Sequence, residues 1–388
     1  MLKSVARLLL LFVIALTPLY WLRLDGLVPT NFVELLAIAA FLVALAAWRV
    51  NFKLPYWQPI LLIVAGLVLG CLVSPDLRTS LGILKGWFIV PILFFWAVTN
   101  VLGTADVPVV MRTLWWSVLV TAAHALLQWL GLLGLLPHQA ELGQYLNEGR
   151  ALGWYESPNY LAMYLLPASL MLGGYYFSKR HWGSVLWLLV PLLVILAAQS
   201  DAAYVAFIAI TALYGLWANR QRLGAPAASL LSVAGLAILL GVIYVLSIEQ
   251  ELGDRLVLWG FAGELGISSL LTGVGAGTFQ DFFQQRFAND PAAQELLPYA
   301  LHPHNLYLSL LLSGGVLTVI GFLWLVFKFA RKLVSNPDQV FIPLLGVGAV
   351  LVHGFFDTTY FKNDLAILFW LFAGLFWIMS RQTETTNG

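Results

Sequence analysis

The run His302-Pro303-His304-Asn305 carries the side chains of this sequence best suited to proton transfer. An imidazole titrates near neutral pH and can take a proton from a hydroxyl nucleophile, so His304 is a candidate general base. The same run could simply begin a helix, with Pro303 and Asn305 satisfying its first turn. A His-x-His metal site is a third interpretation, but the sequence offers no obvious third ligand nearby.

Two long polar segments, roughly 137–158 and 249–304, contain arginines that are candidate phosphate ligands. Arg255 follows Asp254 and precedes Trp259 by four residues. Arg150 directly follows a glycine in the run Gly-Arg-Ala-Leu-Gly, residues 149–153. A guanidinium matches phosphate oxygens through two parallel hydrogen bonds. A surface ion pair with Asp254 explains Arg255 equally well. The sequence therefore leaves both interpretations open.

Three further ionisable residues lie at the ends of apolar runs. Asp201 separates two such runs, and His353 and Asp357 are four residues apart, which puts them on one face if a helix extends that far. Ionisable groups at a membrane edge are functional candidates, although a histidine packed between helices is the alternative for His353. The glycine run 273–277 follows no strand and lacks a Lys-Ser/Thr ending, so it predicts a tight turn rather than a nucleotide site.

Membrane helices must position these residues, because the composition excludes a soluble protein. Of 388 residues, 61% are hydrophobic and only 10% are charged, whereas a soluble domain is roughly half apolar and a quarter charged. The single cysteine, Cys71, excludes an intramolecular disulfide. A net charge of +1 gives no indication of nucleic-acid binding. The predicted fold class is an all-α integral membrane protein with no nucleic-acid partner.

About twelve transmembrane helices are predicted in a single polytopic domain covering residues 1–388. A spanning helix needs about 20 mostly apolar residues. The apolar runs lie near 5–22, 32–48, 57–73, 80–99, 112–136, 159–178, 183–199, 202–218, 227–248, 305–328, 340–356 and 365–380. Within this domain a long extracytoplasmic loop, 249–304, is expected to carry short helices near 255–266 and 278–287.

The distribution of basic residues predicts the orientation. With the N-terminus in the cytoplasm, thirteen Lys and Arg residues lie on the cytoplasmic side and six on the outer side. Lys85 lies within a predicted span, and its side chain is expected to extend toward the outer interface. The first apolar run is interpreted as a span that is retained. Both termini are then cytoplasmic, and the chemistry is expected on the outer face.

Several motifs resemble those of the bacterial O-antigen ligases, a superfamily that includes O-antigen polymerases and protein O-oligosaccharyltransferases. The resemblance covers roughly residues 150–360. It rests on the order of the motifs Arg150-x-x-Gly153 with Pro158-Asn159, Arg255-x-x-x-Trp259, Gly273-x-Gly275-x-Gly277-x-Phe279, His304-Asn305 followed after nine residues by Gly315-x-x-Thr318, and His353-Gly354 with Asp357.

This resemblance implies an inverting glycosyltransferase that uses neither metal nor cofactor, in the cytoplasmic (inner) membrane of a bacterium. The donor would be a glycan on undecaprenyl diphosphate, and the acceptor lipid A-core, another glycan or a protein. His304 would be the base, with His302 and Asn305 positioning it or the acceptor. Arg255 and Arg150 would offset the charge on the departing diphosphate.

One departure concerns the start of the eighth span, where family members commonly carry an arginine and this chain has Asp201. A carboxylate repels a diphosphate, so the resemblance implies either that Arg255, Arg150 or Arg286 binds the donor or that the donor is bound in a different geometry. The remaining candidate substrate contacts are Asp201 itself and the side chains of Trp259, His353 and Asp357.

Two alternative functions stay open at this stage. An O-antigen or surface-polysaccharide polymerase would use the same donor with a different acceptor. A polysaccharide or lipid transporter is the alternative of another class. Transport paths are marked by ionisable residues near the middle of the bilayer, whereas these candidates cluster at one face, which favours the enzyme.

Overall fold

The computed structural model describes residues 1–24, 30–47, 53–219, 250–335 and 337–381. These ranges are mostly helical, and the only sheet within them is an antiparallel pair of two-residue strands, β1 (Arg23–Leu24) and β2 (Thr30–Asn31). Together with the apolar composition, this confirms the predicted all-α membrane class.

Seventeen α-helices lie in the described ranges, together with three 3-10 segments, Thr17–Leu19, Thr104–Asp106 and Pro137–Gln139. The α-helices are α1 Leu2–Leu16, α2 Phe32–Ala47, α3 Trp57–Val73, α4 Leu77–Ile83, α5 Val90–Val101, α6 Val107–Trp129, α7 Gly143–Asn147, α8 Pro158–Ser178, α9 Trp182–Trp187, α10 Leu189–Ala198, α11 Asp201–Ala218, α12 Gln250–Ser268, α13 Phe279–Arg286, α14 Pro291–Gln294, α15 Leu306–Ser335, α16 Pro337–His353 and α17 Asn363–Ser380. A π-helical turn, Leu84–Ile89, joins α4 to α5.

Helices occupy every predicted span that falls within the described residues. Six are long and apolar enough to cross a membrane, namely Leu2–Leu19, Leu77–Val101, Thr104–Trp129, Asp201–Ala218, Leu306–Ser335 and Asn363–Ser380. Shorter apolar helices are Phe32–Ala47, Trp57–Val73, Trp182–Ala198 and Val340–His353. The predicted span 227–248 lies outside the described residues.

Some predicted boundaries were wrong. The fifth span, predicted over 112–136, is a helix that begins at Val107 and ends at Trp129. The eleventh, predicted to continue to residue 356, ends at His353, so His353 and Asp357 do not share a helix face. The turn between the seventh and eighth spans was placed correctly, since Gln199 has the left-handed φ of 52° that ends α10.

Helix α17 is the centre of the bundle. Its side chains are almost all buried, and Phe372 and Phe376 are fully enclosed. It packs against α5, where Phe95 lies 4.9 Å from Trp370 between ring centroids, and against α16. A helix that is apolar on every face belongs inside a bundle rather than at its lipid surface.

Helix α15 is broken at Gly314 and Gly315, a feature that the predicted continuous span missed. Gly315 has a φ of 65°, and a side chain there would collide with the carbonyl of Leu271. The break frees backbone groups that an α-helix would pair internally. The segment after α12 pairs them instead: Val274 N–H donates to the Leu312 carbonyl at 2.7 Å, and Val316 N–H donates to the Leu270 carbonyl at 2.8 Å.

The glycine run therefore forms the tight turn that the sequence predicted. Gly273, Gly275 and Gly277 all have positive φ, which favours glycine. A side chain at Gly273 would strike the carbonyl of Leu312 in α15. The run thus brings the segment after α12 close enough to α15 to pair with its broken turn, and two motifs about forty residues apart in sequence meet in space.

Lys85 does not extend toward the interface as predicted. Its ammonium lies 2.7 Å from the carboxylate of Glu34, which is 5% exposed. Thr30 and Asn363 also donate to that carboxylate, at 2.9 Å and 2.6 Å. A buried charge requires a partner and further hydrogen bonds, and this network supplies both. Lys85 is thus an internal link between α2, the π-helical turn and the start of α17.

Candidate functional site

The predicted site residues gather at one end of the bundle, the end at which α8, α11, α15 and α17 begin. Tyr160, at the start of α8, lies 3.2 Å from His302 between its hydroxyl and Nε2. His304, just before α15, contacts Asp357 in the connection between α16 and α17. The backbone N–H of Leu306 donates to the Gly354 carbonyl at 2.7 Å, which fixes that connection against the start of α15.

His304 and Asp357 form a hydrogen-bonded pair in which the carboxylate is buried and the imidazole partly buried. His304 Nδ1 lies 3.1 Å from Asp357 Oδ1, and the two side chains are 22% and 3% exposed. The Thr358 N–H also donates to Asp357 Oδ1 at 2.8 Å, which orients the carboxylate. The second nitrogen, His304 Nε2, lies 3.0 Å from the carbonyl of Tyr299. Both neighbours are acceptors, so the ring donates from both nitrogens only as the imidazolium.

The electrostatics of the pair agree with this geometry. Burial alone would lower the pKa of His304, but the Asp357 carboxylate and the hydrogen bonds to Asp357 and Tyr299 outweigh it and raise the pKa above its usual value. For Asp357, burial alone would raise the pKa of the carboxyl. The charge of His304 and the hydrogen bond from its ring outweigh burial and hold the pKa of Asp357 well below its usual range. The pair is therefore a proton-binding unit in which the Asp357 carboxylate favours the imidazolium form of His304.

His302 is in a different environment, although its ring centroid lies only 4.2 Å from that of His304. The backbone N–H of His304 points toward His302 Nδ1 at 3.4 Å, which assigns the ring proton to Nε2 next to the Tyr160 hydroxyl. Burial, and secondarily the charge of His304, lowers the pKa of His302 to about 3. His302 is therefore neutral, whereas the Asp357 carboxylate favours the protonated form of His304.

Asn305 performs the structural role that the sequence offered as the simpler interpretation. Its side-chain oxygen accepts from the N–H groups of Tyr307 and Leu308, both at 3.0 Å, and so caps the first turn of α15. Its Nδ2 donates to the Phe355 carbonyl at 2.8 Å. His304 itself has a left-handed φ of 46°. The cap and this turn aim the imidazole at Asp357.

Helix α12 brings Arg255 and Trp259 to the histidines. The indole N–H of Trp259 donates to the backbone carbonyl of His304 at 3.2 Å. Arg255, one helical turn earlier on the same face, acts electrostatically on His302, His304 and Asp357. The spacing of four residues thus places one positioning contact and one positive charge beside the imidazole.

A third possible metal ligand, missing from the sequence argument, is present in space. One ligand atom from each of His302, His304 and Asp357 lies within 4.8 Å of the others. Both nitrogens of His304 are engaged with Asp357 and Tyr299 in this arrangement. The three side chains can therefore bind and transfer a proton in the arrangement observed. To bind a metal ion, His304 would have to break one of its two hydrogen bonds and use that nitrogen as the ligand.

Arg150 lies at the turn that precedes Asp201. Its Nε donates to the Ala198 carbonyl at 3.2 Å, and one terminal nitrogen lies 3.4 Å from the Gln199 carbonyl and 3.3 Å from Asn159 Oδ1. Asp201 is the first residue of α11. Its carboxylate and the guanidinium of Arg150 interact electrostatically, with opposite signs, with the Tyr204 hydroxyl. The guanidinium of Arg150 therefore lies at the turn between α10 and α11, directly before Asp201.

Two predicted contacts are not brought into this cluster. Arg286 lies exposed at the end of α13, with its guanidinium 5.5 Å from the ring centroid of Phe287. His353 is 1% exposed at the end of α16, and neither ring nitrogen has a hydrogen-bond partner among the described residues. Asp357 pairs with His304 rather than with His353.

A cavity of about 250 Å³ opens beside the histidines. His302 lines it, along with residues that the sequence analysis did not select as site residues, among them Tyr20, Arg23, Glu156, Tyr160 and Lys362. Lys362 contacts the Glu156 carboxylate, and the Tyr20 hydroxyl donates to the same carboxylate. One signal was available in the sequence: Lys362-Asn363-Asp364 puts three polar residues directly before the last apolar run.

A family model described as O-antigen ligase matches residues 184–323. A comparison with curated proteins found no match. The matched segment contains Arg255, Trp259, the glycine run and the His304-Asn305 motif with Gly315, whereas Arg150 and Asp357 lie outside it. The family supports a glycan-transferring enzyme of the ligase and polymerase type, in an integral membrane protein. The match over residues 184–323 therefore supports the resemblance to the O-antigen ligases that the motifs predicted.

Proposed function

We propose that this chain transfers a glycan from undecaprenyl diphosphate to an acceptor hydroxyl at the outer face of the bacterial cytoplasmic membrane. The observation that carries the proposal is the His304–Asp357 pair, held by Trp259 and flanked by Arg255, within a chain that matches the O-antigen ligase family. A buried imidazole–carboxylate pair is the arrangement expected of a general base.

His304 accepts the proton of the acceptor hydroxyl through Nε2. This nitrogen contacts the Tyr299 carbonyl in the structure, so the acceptor hydroxyl replaces that carbonyl when it binds. The ring must be neutral to accept the proton, and Asp357 then stabilises the imidazolium that forms. The acceptor oxygen attacks the anomeric carbon while the bond to the diphosphate breaks, so the configuration inverts.

Arg255 offsets the negative charge that develops on the departing diphosphate, with Arg150 assisting. Arg255 lies one helical turn from Trp259 and acts on the histidines through its charge. A fixed positive charge near a developing anion stabilises the transition state more than the ground state. Arg150 supplies positive charge at the turn before Asp201, which lessens the repulsion that this carboxylate exerts on a diphosphate.

The test is glycan transfer in proteoliposomes that contain the purified protein, a lipid-diphosphate glycan and an acceptor. Arg255→Ala should lower kcat about 100-fold or more, as loss of a group that stabilises transition-state charge does. Arg78→Ala is the matched control, because Arg78 is an exposed arginine outside the cluster. Wild-type transfer by Arg255→Ala would contradict the assigned role of this arginine.

Deletion in the native host separates the acceptors. Loss of all capped surface chains on a polysaccharide gel indicates a ligase, and capping by single units indicates a polymerase. Unchanged surface glycans, together with substrate movement across sealed vesicles, would replace the enzyme with a transporter.

A further inference from the structure

A lysine–glutamate pair shares the cavity with His302 and has no part in the mechanism above. Lys362 lies immediately before α17, and its side chain is 12% exposed. Its ammonium contacts the carboxylate of Glu156, which lies in the segment before α8. The pair thus joins two segments that are 206 residues apart and faces the same space as His302.

Aromatic rings hold the ammonium of Lys362 in place. Its Nζ lies 3.7 Å from the centroid of the Tyr160 ring and 4.5 Å from that of the Tyr20 ring. Contacts between a cation and a ring face are strongest where water is excluded. The hydroxyl of Tyr160 also reaches His302, so one tyrosine touches both the fixed cation and the neutral imidazole.

The charges on the cavity wall favour an anion. Arg23 and Lys362 contribute two positive charges and Glu156 one negative charge, which leaves an excess of +1 among the ionised side chains that line it. Burial, opposed by the Glu156 carboxylate, lowers the pKa of Lys362 and so marks the energetic cost of holding this charge away from water. An anion in the cavity would offset that cost.

The Glu34–Lys85 pair shows what a purely structural pair looks like in this bundle. Its carboxylate is 5% exposed and accepts hydrogen bonds from three neighbouring side chains in addition to the lysine, and neither residue lines the cavity. The Glu156 side chain is 31% exposed and faces the cavity. Because Glu156 and Lys362 both line the cavity, an anion that enters it can compete with Glu156 for the ammonium.

We propose that Lys362, together with Arg23, binds the diphosphate of the lipid-linked donor in this cavity, and that Glu156 is the counter-ion which holds the ammonium until the diphosphate arrives. This inference rests on the proposed glycosyl transfer and adds its donor subsite. The diphosphate lies beside His302, on the side of the histidine pair that faces the cavity. Two separated cations match a diphosphate better than a single phosphate group.

The experiment measures binding of inorganic pyrophosphate, and of inorganic phosphate for comparison, to the purified protein in detergent by isothermal titration calorimetry. Lys362→Gln should weaken pyrophosphate binding tenfold or more, and Lys362→Arg should restore most of it. Glu156→Gln should tighten binding, because it removes the competing carboxylate. Lys85→Gln is the matched control, since it breaks the other buried lysine–glutamate pair and should leave binding unchanged.

The opposite signs of the two substitutions separate binding from folding. If the pair is only structural, Lys362→Gln and Glu156→Gln both lower the melting temperature and change pyrophosphate binding in the same direction, which overturns the inference. Equal affinity for phosphate and pyrophosphate also overturns it. The glycan-transfer assay distinguishes the two proposals. If the Lys362→Gln variant transfers glycan as fast as the wild-type protein and binds pyrophosphate equally well, only the proposed lysine subsite is excluded. If the wild-type protein itself transfers no glycan, the proposed function is excluded.

Discussion

Two charged pairs at the same end of the bundle differ in the kind of chemistry they permit. His304 with Asp357 and Lys362 with Glu156 each join a residue of the connection between α16 and α17 to a segment that precedes another helix. An unperturbed imidazole titrates near neutral pH, and an unperturbed ammonium titrates well above it. The first pair is therefore suited to proton transfer and the second to binding charge, and one short connection positions both.

The largest expected effect is that of removing the proposed base, His304, which should affect glycan transfer but not anion binding by the Lys362–Glu156 pair. His304→Ala should lower kcat for glycan transfer by about 10²–10⁴-fold, as loss of a general base does, while pyrophosphate binding stays within a few-fold of the wild type. Transfer assays and calorimetry on the same preparation measure the two effects. Equal losses in both would show that the two pairs act as one site.

The second prediction concerns the pH dependence that Asp357 confers. The raised pKa of His304 means that transfer increases as the pH rises through that pKa, because only the neutral ring accepts a proton. Asp357→Asn removes the main opposite charge, so the acidic limb of the profile should move to lower pH while the maximal kcat falls about 10- to 100-fold. An acidic limb that stays in place would assign it to a different group.

The third prediction concerns the alkaline limb of the pH profile of transfer, which we assign to the Lys362–Glu156 pair. The pKa of Lys362 is lowered chiefly by burial. An anion bound by this ammonium is therefore released as the pH rises through the lowered pKa. Lys362→Arg keeps a permanent positive charge, so at a pH above the lowered pKa of Lys362 its activity should exceed that of the wild type several-fold. Identical profiles of KM against pH for the two proteins would contradict this assignment.

The smallest effect sharpens the comparison by altering only the support of the base. Trp259→Phe removes the N–H that donates to the His304 carbonyl but keeps most of the ring packing. Loss of one neutral hydrogen bond is worth about 0.5–1.5 kcal/mol, so kcat should fall about 2- to 12-fold with KM for the donor unchanged. A change in KM instead would indicate that Trp259 contacts the donor.

The sequence predicted the helical membrane class and the elements of the histidine pair, because local signals carry both. Apolar runs of spanning length mark the helices, and the spacing of four between Arg255 and Trp259 predicts a shared face. His304 was selected because an imidazole can take a proton from a hydroxyl and because its run lies where the long loop meets the next apolar run.

The second pair could not be predicted, because its two members are 206 residues apart and each looks like an ordinary charge before an apolar run. The contact of Tyr299 with His304 is likewise invisible in the sequence, since it uses a backbone carbonyl. Adjacent glycines at 314 and 315 permit a break in α15, but only the hydrogen bonds supplied by another segment make the break stable.

The broken turn of α15 has a consequence for assembly in the membrane. The Leu312 carbonyl and the Val316 N–H find their partners only when the segment after α12 docks, and an unpaired backbone group in hydrocarbon costs several kcal/mol. The first half of α15 therefore cannot reach its final state until the preceding segment has been delivered to the same side and folded. Gly273→Ala should leave the region around α15 open to protease in newly made chains, and resistance equal to the wild type would contradict this order of events.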